Sequence, residues 1–203
     1  MTSPDEAVLE FADVMRRLRA ECPWKAAQTH RSLARYLLEE AHETVEALDT
    51  EDMVHLREEL GDLLLQVFLH TAIAEEDGAF TLGDVAADAT AKMVRRNPHV
   101  FGPEPAAGLT PDEVNDEWER RKGVEKASRT SVLDGLPPGL PALLLADKVL
   151  DRLARQGVDA PPADGTGDLG TRLLVLVAQA RAEGVDPEQA LRDAVRRLVG
   201  DTA

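Results

Sequence analysis

The stretch YLLEEAHETVEALDTEDMVHLREELGDLLLQVFL, residues 36–69, decides the fold. Its apolar residues recur three and four positions apart, and Ala, Leu and Glu outnumber the β-branched residues that are typical of strands. The polar break at residues 49–52 divides the stretch between two helices, at about 32–48 and 53–76. The same composition continues on both sides, so the sequence predicts an all-α protein.

Further helices are predicted outward from this pair. A loop is expected at residues 21–24, because proline cannot continue a helix. Thr81 or Asp84 is expected to cap the helix that reaches Arg96. The other predicted helices cover residues 4–19, 112–126, 142–155, 169–183 and 187–199.

Composition excludes several classes of protein. The chain has 203 residues with a formal net charge of −15, which opposes stable binding to nucleic-acid phosphates. A single cysteine excludes an internal disulfide framework. Neither a signal peptide nor an apolar run of membrane-spanning length occurs, so we expect no membrane association and a cytoplasmic location.

Two acidic clusters are the main candidates for chemistry. Glu39, Glu40 and Glu43 lie at helical spacing on the first helix, and Glu59 and Asp62 on the second. Like charges at these spacings repel each other, and Asp62 opens a strongly apolar run in which a carboxylate needs a partner. A hard divalent cation such as Mg²⁺ would satisfy both clusters. The residues alone leave a second interpretation open, a solvated acidic face.

An ordered series of motifs resembles the MazG-type nucleoside triphosphate pyrophosphohydrolases, a family of the all-α NTP pyrophosphatase superfamily. The E-x-x-D pair alone would be weak evidence, whereas the whole series covers roughly residues 5–127. It comprises CPW (22–24), QTH (28–30), YLLEE (36–40), EELGDLL (58–64), RRNPHVFG (95–102), and Trp118-Glu119 with Lys122.

The resemblance implies a MazG-like helical bundle that cleaves a nucleoside triphosphate between its α and β phosphates. The residues matching the family's metal ligands are Glu40, Glu43, Glu59 and Asp62. Glu39 would support these ligands or orient the attacking water. The implied cofactor is Mg²⁺, with Mn²⁺ as a substitute, since a metal lowers the pKa of water and absorbs charge on pyrophosphate.

Basic residues beyond the acidic helices are candidates for holding the substrate. Lys92 and Arg96 lie four residues apart beside Arg95, where they would bind phosphates or only complement a helix C-terminus. Trp118 and Lys122 match the family's nucleotide-contacting pair. A departure occurs at His55, near which some relatives carry a basic substrate contact.

The second half of the chain is expected to be an additional C-terminal segment. Residues 128–141 are interpreted as a linker and 142–203 as a degenerate, non-catalytic repeat. The stretch DLGTRLL (168–174) aligns with ELGDLLL (59–65), although chance similarity between amphipathic helices would give the same pattern.

These observations combine into a functional hypothesis. We expect a homodimer that hydrolyses nucleoside triphosphates, with ribose or deoxyribose, to monophosphate and pyrophosphate, and so cleans the nucleotide pool. The alternatives are a phosphoribosyl-ATP pyrophosphohydrolase-like enzyme and a non-catalytic helical interaction module.

Overall fold

The structure is a computed structural model that describes residues 3–103, 108–126, 130–159 and 167–200. Within these ranges it contains ten helices and no strand, so the prediction of an all-α fold is confirmed. The helices are α1 (Pro4–Glu21), α2 (Pro23–Ala26), α3 (His30–Asp49), α4 (Met53–Glu76), α5 (Leu82–Arg96), α6 (Pro98–Phe101), α7 (Pro111–Glu125), α8 (Ala142–Arg155), α9 (Leu169–Ala182) and α10 (Pro187–Gly200).

The eight longer helices lie within about two residues of their predicted bounds. The prediction of a loop at residues 21–24 is wrong. Only Cys22 separates α1 from α2, because Pro23 is the first residue of a new helix. Proline cannot continue a helix, but its fixed φ angle suits the first helical position. Pro98 starts α6 in the same way.

A tight turn sets α3 and α4 side by side. Glu51 has a φ of 56°, in the left-handed region, and Asp52 then caps α4. Its Oδ1 accepts hydrogen bonds from the backbone N–H groups of Val54 and His55, both at 3.0 Å. Because so short a turn reverses the chain, the C-terminal half of α3 faces the N-terminal half of α4.

The chain divides into two compact units, Met1–Lys122 and Gly123–Ala203. The core of the first unit lies where α1 and α3 pack against α4. Burial of each large apolar side chain there stabilises the fold by about 1.5–3 kcal/mol. This core contains Ala12, Met15, Leu33, Phe68, Leu69 and Ile73.

The second unit is built on α8, α9 and α10, with Leu150 and Val177 buried among them. Arg181 of α9 binds two carboxylates of α8, Asp147 at 2.6 Å and Asp151 at 3.0 Å. Within the described ranges, none of the helices in either unit combines the length and apolar character needed to cross a lipid bilayer.

Candidate metal centre

Three carboxylates meet between α3 and α4. One oxygen each from Glu40, Glu43 and Glu59 lies within 4.8 Å of the other two. Glu40 and Glu43 share a face of α3 because they are three residues apart, and Glu59 reaches them from α4. Oxygen ligands at this density are typical of sites for hard divalent cations.

Glu59 provides the test of whether these residues fit a cation. It is 6% exposed, and its Oε1 lies 2.9 Å from Nε2 of His55. Its Oε2 is buried without a hydrogen-bond partner among the described residues. Leaving a buried charged oxygen unpaired costs several kcal/mol, whereas a cation between the three carboxylates would pair it. The residues therefore fit a divalent metal ion.

Asp62 and Glu39 occupy different places around this group. Asp62 is half-buried, and its charge acts on Glu40, although its oxygens are not among those within 4.8 Å. Glu39 is exposed and lies outside the group, about 100° around α3 from Glu40. The structure thus brings three of the predicted ligands together, with Asp62 beside them and Glu39 at the surface.

The electrostatics of the group raise the pKa of Glu40. Burial is the largest cause, followed by the charges of Asp62, Glu43 and Glu59. A hydrogen bond from the side chain of Gln66 opposes the shift. Both main causes disfavour the ionised form, so a bound cation would relieve repulsion that the protein carries without it.

Sequence reasoning missed two polar neighbours of the carboxylates. Gln66 is 3% exposed, and the apolar run around it concealed that it follows Asp62 by one helical turn. From sequence, His55 is only a departure near a basic position of related proteins, yet it lies against Glu59. The signal available for both was the i,i+4 spacing to a predicted ligand.

The predicted substrate-binding residues lie on α5 and α7. Lys92 and Arg95 are exposed, whereas Arg96 is 9% exposed and its guanidinium lies 5.2 Å from the ring centre of Trp118. Lys122 binds Glu119 at 2.8 Å. One ring face of Trp118 is therefore already covered by a cation, an arrangement that fixes the ring's orientation.

An additional contact joins the two helices. Nη1 of Arg121 donates to the backbone oxygen of Arg95 at 3.2 Å, and Arg121 and Arg120 both bind Glu117. The two guanidiniums lower the pKa of Glu117 to about 2, mainly through hydrogen bonds. This network places Trp118 and Lys122 on a helix that contacts the basic end of α5.

The chain is similar to proteins of known family. Residues 28–101 match the MazG nucleotide pyrophosphohydrolase domain. A Streptomyces cacaoi protein, "Uncharacterized 26.1 kDa protein in blaB 3'region", is 46% identical over 97% of this chain and 84% of its own length. The Thermotoga maritima "Nucleoside triphosphate pyrophosphohydrolase/pyrophosphatase MazG" is 36% identical over 94% of this chain and 82% of its own length. A crystal structure of a MazG-related protein from Thermotoga maritima aligns with a TM-score of 0.48 and 29% identity, covering 58% of this chain and 97% of its own.

Proposed function

The chain belongs to the MazG nucleotide pyrophosphohydrolase family, and we propose that it hydrolyses nucleoside triphosphates to nucleoside monophosphate and pyrophosphate with Mg²⁺. The observation that carries the proposal is the cluster of three carboxylates between α3 and α4, in which the buried Oε2 of Glu59 has no hydrogen-bond partner among the described residues. Mn²⁺ offers the same preference for oxygen ligands and would substitute.

Glu40, Glu43, Glu59 and Asp62 would hold the metal. When bound, the metal would lower the pKa of the attacking water and absorb negative charge on the phosphates. His55 holds one oxygen of Glu59, which restricts the rotation of that carboxylate. Glu39 is exposed and precedes Glu40 on α3, and we assign it to supporting the ligands or orienting the attacking water.

Basic residues of α5 and α7 would hold the substrate. Lys92, Arg95 and Arg96 would bind the phosphates, since a protein with a net charge of −15 needs local cations to approach a triphosphate. Trp118 would contact the base and Lys122 a phosphate. The contact of Arg96 with the Trp118 ring supports this assignment, because it links a phosphate-binding candidate to the base-binding one.

The second unit is proposed to be non-catalytic, a degenerate repeat at residues 142–203 that follows a linker at 128–141. Asp168 aligns with Glu59, but its side chain caps α9 by accepting the Thr171 N–H at 2.8 Å. Asp147 and Asp151 are both held by Arg181. Asp147, Asp151 and Asp168 thus each accept hydrogen bonds from donors of the second unit itself, which argues against a metal site formed by these three carboxylates.

A homodimer is proposed because α4 carries an apolar stripe beside its acidic face. Leu60, Leu64 and Val67 are between 39 and 51% exposed and follow the spacing of one helix face. Their counterparts in the second unit, Leu169, Leu173 and Leu176, are exposed as well. Exposed apolar stripes of this kind are typical of protein–protein contacts.

The cellular role we propose is removal of noncanonical or excess nucleotides in the cytoplasm, without membrane or stable nucleic-acid binding. The decisive experiment is pyrophosphate release from a panel of nucleoside triphosphates and phosphoribosyl-ATP, with Mg²⁺ and with a chelator. We expect metal-dependent release from triphosphates. Release from phosphoribosyl-ATP alone would favour the related enzyme, and no release from any nucleotide would favour a non-catalytic module.

A further inference from the structure

Three buried polar atoms that have no hydrogen-bond partner among the described residues follow one face of α4. They are Oε2 of Glu59, Oε1 of Gln66 and Nε2 of His70. Spacings of seven and four residues place these side chains in one row along the helix, about 10 Å and 6 Å apart by helical rise. A metal ion would satisfy Glu59, but it leaves the other two atoms of the row unexplained.

Gln66 presents an acceptor next to the carboxylates. Its side chain lies close enough to Glu40 to lower the pKa of that carboxyl group as a hydrogen-bond donor does, so Nε2 of the amide faces Glu40. The remaining atom of the same planar amide, Oε1, is therefore fixed as an acceptor close to Glu40. A buried acceptor left unpaired destabilises the protein, and a ligand with a matching donor would remove that cost.

His70 continues the row with an uncharged group. Burial lowers its pKa, and the nearby His30 lowers it further. The two rings are stacked, and their Nδ1 atoms lie 2.8 Å apart, so one of these atoms donates to the other. Nε2 of His70 stays unpaired at the far end of the row.

The chemistry of this row distinguishes the two halves of a nucleotide. Phosphate oxygens are acceptors and need cations or N–H donors, so an amide oxygen beside an acidic group repels them. The nucleoside half carries N–H and O–H donors. Beyond Glu59 the row is uncharged and offers a fixed acceptor, so this part of the row suits the nucleoside.

Resting on the proposed function, we propose that the nucleoside of the substrate lies along α4 beyond the carboxylates, where Oε1 of Gln66 accepts a hydrogen bond from an N–H or O–H group. Gln66 is then a specificity-determining residue. It selects nucleosides that present a donor at this position, and it disfavours analogues that present an acceptor or a carbon atom there.

The test compares wild type with Gln66→Met, which keeps the length of the side chain and removes the amide. The matched control is Thr71→Val, also a buried polar position on α4, whose hydroxyl donates only to Phe68 of its own helix. kcat/KM is measured for pairs of triphosphates that differ by one donor. Two substrate pairs differ in the base, namely GTP with ITP and ATP with purine riboside triphosphate. The third pair, ATP with dATP, differs in the sugar.

We expect wild type and Thr71→Val to prefer the donor-bearing member of one pair by about tenfold, and Gln66→Met to lose that preference. The pair affected identifies the donor as base N–H or sugar O–H. Dissociation constants for the corresponding monophosphates, measured with a chelator present, should show the same loss. This second measurement tests the contact of Gln66 with the nucleoside by binding alone, independently of metal and of catalysis.

Two results would overturn the inference. One is an unchanged preference in Gln66→Met for every pair, which would assign the unpaired oxygen to ordered water. The other is a wild-type enzyme indifferent to every donor. If Gln66→Met does not fold, the same kcat/KM comparison with Gln66→Leu and the wild-type preferences for the substrate pairs still test the inference. Absence of hydrolysis of all triphosphates by wild type is a separate result that contradicts the proposed function.

Discussion

Nε2 of His55 lies 2.9 Å from Oε1 of Glu59, one turn further along α4. This distance is within hydrogen-bonding range, so the imidazole holds one carboxylate oxygen, while the other has no partner in the part of the chain that the structure describes. His55 thus restricts the rotation of the Glu59 carboxylate beside Glu40 and Glu43. The contact gives a supporting role to a residue that had no interpretation from sequence beyond a departure from related proteins.

Asp62→Asn should abolish most of the activity without unfolding the protein. The change keeps the size of the side chain and removes a charge that the metal would need. We expect helix content measured by circular dichroism to be preserved and Mg²⁺-dependent pyrophosphate release to fall by orders of magnitude. Asp88→Asn, at an exposed position on α5, is the control. Near wild-type turnover in Asp62→Asn would remove this residue from the site.

Glu59→Gln should stabilise the metal-free protein and remove the gain in stability that Mg²⁺ gives to wild type. Without metal, the change removes one of several repelling carboxylates. In a chelator, the free energy of unfolding of the variant should therefore exceed that of wild type by a few tenths of a kcal/mol per repelling pair removed, and the variant should unfold at a higher temperature. With Mg²⁺, wild type should gain stability through ligand binding and the variant should not. Thermal unfolding with and without Mg²⁺ measures both effects. Equal stabilisation of both proteins by Mg²⁺ would contradict a metal centre at Glu59.

Lys122→Ala should weaken substrate binding more than it alters chemistry. Its ammonium is assigned to phosphate contact, so we expect kcat/KM to fall by about tenfold, mainly through KM. Part of the loss can fall on kcat, since charge develops on the departing pyrophosphate. Steady-state kinetics with Lys148→Ala, an exposed position on α8, as the control makes the comparison. An unchanged kcat/KM would leave Trp118 and Lys122 with a structural role only.

Leu64→Asp should prevent dimer formation. It places a charge in the middle of the apolar stripe of α4, where desolvation on association would be costly. We expect light scattering coupled to size-exclusion chromatography to give a dimer mass for wild type and a monomer mass for the variant. Val124→Asp replaces an exposed apolar residue outside the stripe and serves as the control. A monomeric wild type would refute the proposed dimer.

Removal of residues beyond 128 should preserve the chemistry and reduce stability. The first unit contains all four candidate ligands, and the second retains no free carboxylate set among its described residues. A fragment of residues 1–128 should keep Mg²⁺-dependent activity per folded molecule, with a lower melting temperature or more aggregation. A fragment of residues 130–203 should hydrolyse nothing. Hydrolysis by that second fragment would overturn its assignment as a degenerate repeat.

Helical periodicity predicted the long helices well, because each buries an apolar stripe over several turns. It could not predict α2 or α6, since four residues contain no repeat and each depends on a proline at its start. The carboxylates were recognisable because their spacing violates the usual separation of like charges. Gln66 was missed, because its i,i+4 spacing to Asp62 does not reveal its contact with Glu40 on another helix.

The turn at Glu51 and Asp52 also has a consequence for how the protein folds. Because it joins α3 directly to α4, every carboxylate from Glu40 to Asp62 belongs to one continuous helical hairpin. Contacts between close segments form rapidly, since little loop-closure entropy is lost. The repelling carboxylates are therefore brought together early, and Mg²⁺ should accelerate refolding if this hairpin forms in the transition state.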